Sequence, residues 1–229
     1  MGVAMPENPA NTQTDLDKPL GRRARKAAAV RRALFDAGLA AFERQPLGLV
    51  SILDITEAAD VAKGVFYLQF RGKDDFLMAL WEDRQRVFLD AVRMAVSSCG
   101  TDRERLQAAI REYARTATAS PATARFWLRM SGYFSDEIGQ PGELTRLRQE
   151  YLEQLAATIG DVKLEKITAR DLEVAALIDA CSWAIISHAI QLGSSLPDEA
   201  LFVAIVRGAV QPYLKSVCPD RAAEASSES

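Results

Sequence analysis

At 229 residues and 48% hydrophobic content, the chain is long enough to bury a substantial core in one or two domains. No run approaches the roughly 18 to 20 uninterrupted apolar residues of a membrane span, and the opening MGVAMPENPANTQTDLDK lacks the charged-then-apolar pattern of a secretory leader, so a cytoplasmic chain with no membrane partner is expected. The net charge of −3, taken whole, argues against a nucleic-acid partner, but eleven basic and five acidic residues fall between Lys18 and Lys73, leaving that stretch at +6 and the remainder at −9.

Residues 1–20, rich in Pro, Asn and Thr, and residues 219–229, rich in Ala, Ser and Glu, hold too little apolar content to order themselves and read as a disordered arm and tail. Between them, apolar residues recur with helical period. Val30, Leu34, Ala37 and Ala41, joined by Phe35, Leu39 and Phe42, predict a helix over about 22–45, stopped by Pro46 and Gly48. Ser51, with Asp54 three residues on, makes a capping-box-like start for a short helix with Ile52, Ile55 and Ala59 facing inward. A third helix is expected over about 63–70. Gly72, Asp74 and Asp75 open a long fourth one, whose apolar face carries Phe76, Leu80, Val87, Ala91 and Ala95. Further helices are expected near 102–119, 121–134, 142–160, 168–192 and 198–216, with no alternating strand pattern and no internal repeat. The fold class is all-α, with about nine helices. Cys99, Cys181 and Cys218 lie 82 and 37 residues apart, which suits neither a disulfide framework nor a metal site.

The stretch DITEAADVAKGVFYLQFRGKDDF, residues 54–76, joins the second and third helices through Ala59-Asp60-Val61-Ala62, a connection of helix-turn-helix size. Asp60 takes the left-handed turn conformation more cheaply than most side chains. With Ala62 as N-cap, Val61 and Phe66 stand at the positions of a hydrophobic staple. At about 100° per residue, Phe66 and Phe70 share an inward face, while Gly64, Val65 and Leu68 point outward, flanked by Tyr67 and Gln69. An apolar outer face with no side chain at Gly64 suits close approach of another backbone. Major-groove DNA fits it: thymine methyls on Val65 and Leu68, base edges on Gln69, phosphates on Lys63, Tyr67 and Lys73. Arg22, Arg23, Arg25 and Lys26, in GRRARKAAAVRR, stand close enough to reach flanking phosphates or a narrow minor groove, a solubilising arm being the plainer alternative.

The run SILDITEAADVAKGVFYLQFRGKDDFLMAL resembles the helix-turn-helix of the tetracycline-repressor (TetR) family, matching its pattern at Ser51, Asp54, Ile55, Ala59, Val61, Lys63, Gly64, Phe66, Tyr67, Phe70, Lys73 and Asp74. The chain departs from the pattern at Val50 (for Thr), Thr56 (for Ala), Asp60 (for the turn Gly) and Ala62 (for the capping Ser), and Leu68 and Gln69 replace residues that are usually polar or aromatic. The resemblance implies a DNA-binding head over 21–82, to whose DNA-facing set Ser51 and Thr56 belong, and a ligand-binding and dimerisation body over 83–218. It further implies a homodimer formed through the last two helices, an inverted-repeat double-stranded operator, and most simply a repressor released by a small-molecule effector. An activator, a ligand-insensitive DNA-binding protein, or a helical adaptor without DNA binding are the alternatives.

An enzyme is not expected, nor a cofactor or metal. With one histidine, His188, in the apolar run DLEVAALIDACSWAIISHAIQLG, the chain has no multi-histidine metal site, and no glycine-rich phosphate loop is present. For the body, the candidate ligand-binding residues are Phe88, Tyr113, Phe126, Trp127, Met130, Tyr133, Trp183 and His188, each with ordinary core packing as the alternative. Wide apolar faces carry Leu172, Ala176, Ile185 and Ala189, then Phe202, Ile205, Val206, Ala209 and Val210, a surplus that suits burial against another subunit, core packing within one chain being the alternative.

Overall fold

A computed structural model of the chain describes residues 21–136 and 141–217, with side chains over 21–130 and 145–211. The expected disordered arm (1–20) and tail (219–229) lie outside these residues, as does Cys218. Among the described residues the chain is all-helical, in nine α-helices. Helix α1 (Arg22–Arg44) buries Leu34, Phe35, Leu39 and Phe42, and ends where Gln45 turns extended ahead of Pro46. Gly38 is required on this helix: a Cβ there would sit 2.7 Å from the Phe76 ring.

Helix α2 (Ile52–Ala58) starts with the expected capping box, Asp54 N donating to Ser51 Oγ at 3.1 Å and Ser51 N to Asp54 Oδ2 at 2.7 Å. Those bonds hold the Asp54 carboxyl below its ordinary range. Helix α3 (Lys63–Tyr67) is shorter than the 63–70 expected. Leu68 caps it, although Phe70 N still reaches Phe66 O at 2.9 Å, so the last residues continue the turn without adding a full helical one. Helix α4 (Lys73–Val96) carries Asp74 and Asp75 in its first turn, where the peptide dipoles favour them.

Helices α5 (Asp102–Ala119) and α8 (Ala169–Leu192) each open on a Thr capping box, Thr101 with Glu104 and Thr168 with Asp171. Pro121 and Pro141 begin α6 (Pro121–Asp136) and α7 (Pro141–Gly160), positions at which proline's missing N–H costs no intrahelical bond. Left-handed Gly193 (φ 62°) ends α8, and α9 (Glu199–Val217) follows. Two 3-10 turns, Leu47–Leu49 and Leu164–Lys166, are too short to show in the periodicity.

The head core is a cluster of phenylalanines from four segments: Phe35 and Phe42 of α1, Phe66 of α3, Phe70 beyond it, and Phe76 of α4, with neighbouring ring centroids 5.0–6.4 Å apart. In the body α4 packs on α5 and α7, α7 on α8, and α9 on α5 and α8, while α6 lies against α1. Although no uninterrupted apolar run reaches membrane length, α8 is long and apolar enough to cross a membrane by length and composition alone. About a third of its apolar stretch is fully buried within the chain, and the helix carries a buried aspartate, Asp179.

Candidate nucleic-acid interface and the cavity behind it

The turn between α2 and α3 is made by Asp60 in the left-handed region (φ 54°), and Val61 N donates to Thr56 O at 3.0 Å across it. Ala62 is the N-cap of α3 and offers no side-chain bond. Phe66, fully buried, anchors α3 and leaves its other face in the open. Leu68 is 82% exposed and Tyr67 50%, Lys63 and Gly64 are exposed, and nothing stands within 4 Å of where a Gly64 Cβ would be. Val65 and Gln69 are half-buried at the edges of this face.

Arg22, Arg23 and Arg25 are exposed at the start of α1, whose first turn holds no acidic residue. Cations at a helix N-terminus oppose its dipole, so the arrangement suits an anionic partner better than it suits the helix itself. Farther along α1, Arg31 lies over the rings of Phe35 and Phe70, 4.9 and 4.7 Å from their centroids, tying α1 to the end of the recognition segment.

Two residues of the expected DNA-facing set sit differently. Thr56 is 1% exposed and its hydroxyl donates to Leu53 O at 3.0 Å, because the bulkier side chain at a position suited to alanine turns into the α2 backbone; it has no outer surface to offer. Lys73 Nζ donates to Gly48 O at 3.1 Å, bracing the 3-10 turn against the start of α4. Ser51 remains exposed, its oxygen engaged as the α2 cap. Arg71 was not singled out from the sequence. Its side chain is 95% exposed just past the recognition segment, and the signal was there, a cation flanking an apolar outer face.

In the body, a cavity of about 220 Å³ opens between α4, α6, α7 and α8. Trp81 and Gln85 of α4 and Trp127 and Leu128 of α6 form one side; Arg148 and Tyr151 of α7 face Asp179, Trp183 and Ser187 of α8. Of the candidate ligand residues, Trp127 and Trp183 line this cavity, their rings edge-to-face at 5.2 Å and 87°. Phe88 and Tyr113 stand behind them, Phe88 perpendicular to Trp127 and Tyr113 to Trp183. Phe126 stacks instead on Phe42 at 5.7 Å, Met130 is fully buried, and His188 is exposed on α8; none of these three lines the cavity. The Tyr133 side chain lies outside the described residues.

Asp179 is the polar centre of the cavity wall, 1% exposed. Tyr113 Oη and Tyr151 Oη lie 3.0 and 3.2 Å from its Oδ1 and 2.7 Å from each other, two protons serving the three contacts, and its Oδ2 accepts from Arg148 at 2.9 Å. Burial raises the Asp179 carboxyl above its ordinary range, against the opposing pull of Arg148, the two hydroxyls and the Trp183 indole. Burial, with the Asp179 charge, also pushes both phenols well up, so they stay protonated donors. An aspartate inside the apolar middle of α8 is the sequence signal for this centre.

Helix α6 meets the end of α1. Arg129 donates to the Phe42 and Gln45 carbonyls, satisfying the last turn of α1, and Arg125 pairs with Glu43. Phe126 thus faces α1 while its neighbours Trp127 and Leu128 face the cavity. Helix α4 joins the same two places, with Phe76 in the head core and Trp81 in the cavity wall.

Residues 34–80 match the family model described as bacterial regulatory proteins, tetR family. Over 60 residues the chain is 42% identical to the uncharacterized HTH-type transcriptional regulator YwcC of Bacillus subtilis (strain 168), a match spanning 26% of this chain and 27% of that relative. Solved structures with the same fold include the transcriptional regulator FadR from Bacillus subtilis in complex with stearoyl-CoA (TM-score 0.63, 16% identity, 78% of this chain and 97% of that one). A TetR family transcription regulator from Marinobacter aquaeolei VT8 is similar to the same degree (TM-score 0.61, 14% identity, 81% and 97%).

Proposed function

By its helix-turn-helix head this chain belongs to the tetR family of bacterial regulatory proteins, and from that premise we propose that it is a homodimeric repressor that binds an inverted-repeat operator and releases it when a small molecule enters the body. The observation carrying the DNA-binding part is the outer face of α3, apolar and open although Phe66 and Phe70 already anchor the segment. In this reading Lys63 and Tyr67 meet phosphates, Gly64 lets the sugar-phosphate backbone approach, and Val65, Leu68 and Gln69 meet base edges. Arg22, Arg23 and Arg25 reach the flanking backbone, with Arg71 at the opposite end of the recognition segment. Lys73 acts by holding the head together as well as by its charge.

The dimer forms through α8 and α9. Phe202, Val206 and Val210 bury one face of α9 in its own body, while Leu201 and Ile205 stay 50% and 44% exposed on the other. With much of apolar α8 only half-buried as well, a second copy is the simplest cover, giving a four-helix arrangement. It would set two recognition helices about 34–36 Å apart, one helical turn of DNA.

The effector site is the cavity between α4, α6, α7 and α8. At about 220 Å³ it is larger than the roughly 150 Å³ engineered cavity that holds one benzene, and it opens to solvent. A ligand that moves Trp127 moves α6, and with it the Arg129 and Phe126 contacts to α1. A hundredfold preference of the ligand for the released state corresponds to about 2.7 kcal/mol of coupling, and operator DNA must weaken the ligand by the same factor.

Footprinting on the protein's own promoter region tests the proposal. Protection of an inverted repeat at physiological salt is expected; binding with no sequence preference would overturn it.

A further inference from the structure

The hydrogen-bonding inventory of the cavity narrows what can fill it. Around Asp179 the Tyr113 and Tyr151 hydroxyls lie 2.7 Å from each other and both within reach of Oδ1, so two phenol protons serve three contacts, while Arg148 holds Oδ2. With two phenols and a guanidinium already converging on it, Asp179 offers little to an incoming amine. The unspent capacity lies on the donor side. Among the described residues, Arg148, half exposed at 50%, has five N–H groups and a single bond to Asp179, and the buried Trp81 Nε1–H, on a residue only 5% exposed in the cavity wall, has no partner.

The walls set the rest. Three indoles and a phenol, from Trp81, Trp127, Trp183 and Tyr151, surround the space, and Phe88 and Tyr113 lock Trp127 and Trp183 from behind at near right angles. Such walls favour a flat ring stacked or edge-on to them over a flexible chain. At about 220 Å³, against about 150 Å³ for one benzene, the cavity admits one to two fused rings.

Building on the effector-site reading, we propose that this cavity takes an aromatic carboxylate of one or two rings, its ring among Trp127, Trp183 and Tyr151 and its carboxylate on the free edge of Arg148, with Trp81 Nε1–H as a second donor. Arg148 thereby serves two carboxylates, that of Asp179 and that of the guest, and ligand entry acts on α7 and α8 together with α6.

Calorimetric titration of the full-length protein with 1-naphthoate, the matching amine 1-naphthylmethylamine, and decanoate tests this. Naphthoate should bind, with the amine and decanoate each about tenfold weaker or worse. Arg148→Lys keeps a cation beside Asp179 but loses the fork, and should weaken naphthoate about tenfold with little change in melting temperature. Arg148→Met, checked for folding by circular dichroism, should remove the preference for acid over amine. An amine that binds as tightly as the acid, or an Arg148→Lys protein that holds naphthoate unchanged, overturns the ligand class and leaves the cavity as the effector site. If none of the three probes binds, both readings fall.

Discussion

Lys73 and Lys63 look alike in the sequence, both cations beside the recognition segment, and the fold separates them. Lys63 is exposed at the first position of α3, whereas Lys73 is bonded to the Gly48 carbonyl. Lys63→Ala should therefore weaken all DNA sequences about evenly and lower the slope of log K against log salt by about 0.9 for each phosphate no longer neutralised. Leu68→Ala and Gln69→Ala should change which sequence is preferred, by about 1–3 kcal/mol per base read. Binding-site selection with each variant checks the division; the same altered preference in Lys63→Ala and Gln69→Ala would contradict it. Asp54 carries a different prediction. Its folded-state carboxyl is lowered by the Ser51 backbone and hydroxyl, so the contribution is complete above the unfolded carboxylate value of about 3.9 and is lost as pH falls through the lowered one. The melting-temperature gap between wild type and Asp54→Asn should be constant above about pH 5 and shrink toward about pH 3. A gap that widens on acidification would show that the capping carboxylate is not what α2 depends on.

Among the elements, α3 is the least secured by its own residues. It spans five residues, its N-cap is alanine, and its first turn has no acidic side chain. Its order comes from Phe66 and Phe70 in the phenylalanine cluster and from the left-handed turn at Asp60. Restoring a cap with Ala62→Ser should raise stability by about 1 kcal/mol, read as an increase in melting temperature, since Ala62 is exposed and the hydroxyl would reach the N–H groups at the start of the helix. The helix-turn-helix was legible in the sequence because its signals are local: a cap, a turn residue and two aromatics four apart. Its C-terminal limit was not, because Leu68 and Gln69 suit a helix, and the head core, closing over Phe70, ends the helix sooner than propensity would.

For the molecule as a whole, α4 reaches both the phenylalanine cluster and the cavity wall, α6 reaches both α1 and the cavity wall, and α9 leaves Leu201 and Ile205 exposed where the proposed second copy would sit. A paired Leu201→Glu and Ile205→Glu substitution should convert the dimer to monomer in sedimentation and reduce operator affinity by more than tenfold, since each half-site alone holds one recognition helix. The exposed positions of both residues make local misfolding an unsuitable explanation for such a loss, and an unchanged sedimentation coefficient would place the dimer elsewhere. Periodicity gives α9 one wide apolar face carrying Phe202, Ile205, Val206, Ala209 and Val210. Only packing showed that Phe202, Val206 and Val210 go inward and Leu201 and Ile205 outward.

The order and nearly all the limits of the helices, their caps, the Asp60 turn and the outward face of α3 are properties of neighbouring residues, and so the sequence determined them by itself. The cavity is a property of residues about a hundred apart, Trp81 on α4 and Trp183 on α8, and no periodicity relates one helix to another. Helical phase says which side of a helix a residue occupies, not what stands opposite. Adjacent Phe126 and Trp127 show the consequence, one stacked on Phe42 in the head joint and the other in the cavity wall, and Asp179 gains its meaning only when α5, α7 and α8 bring two phenols and a guanidinium to it.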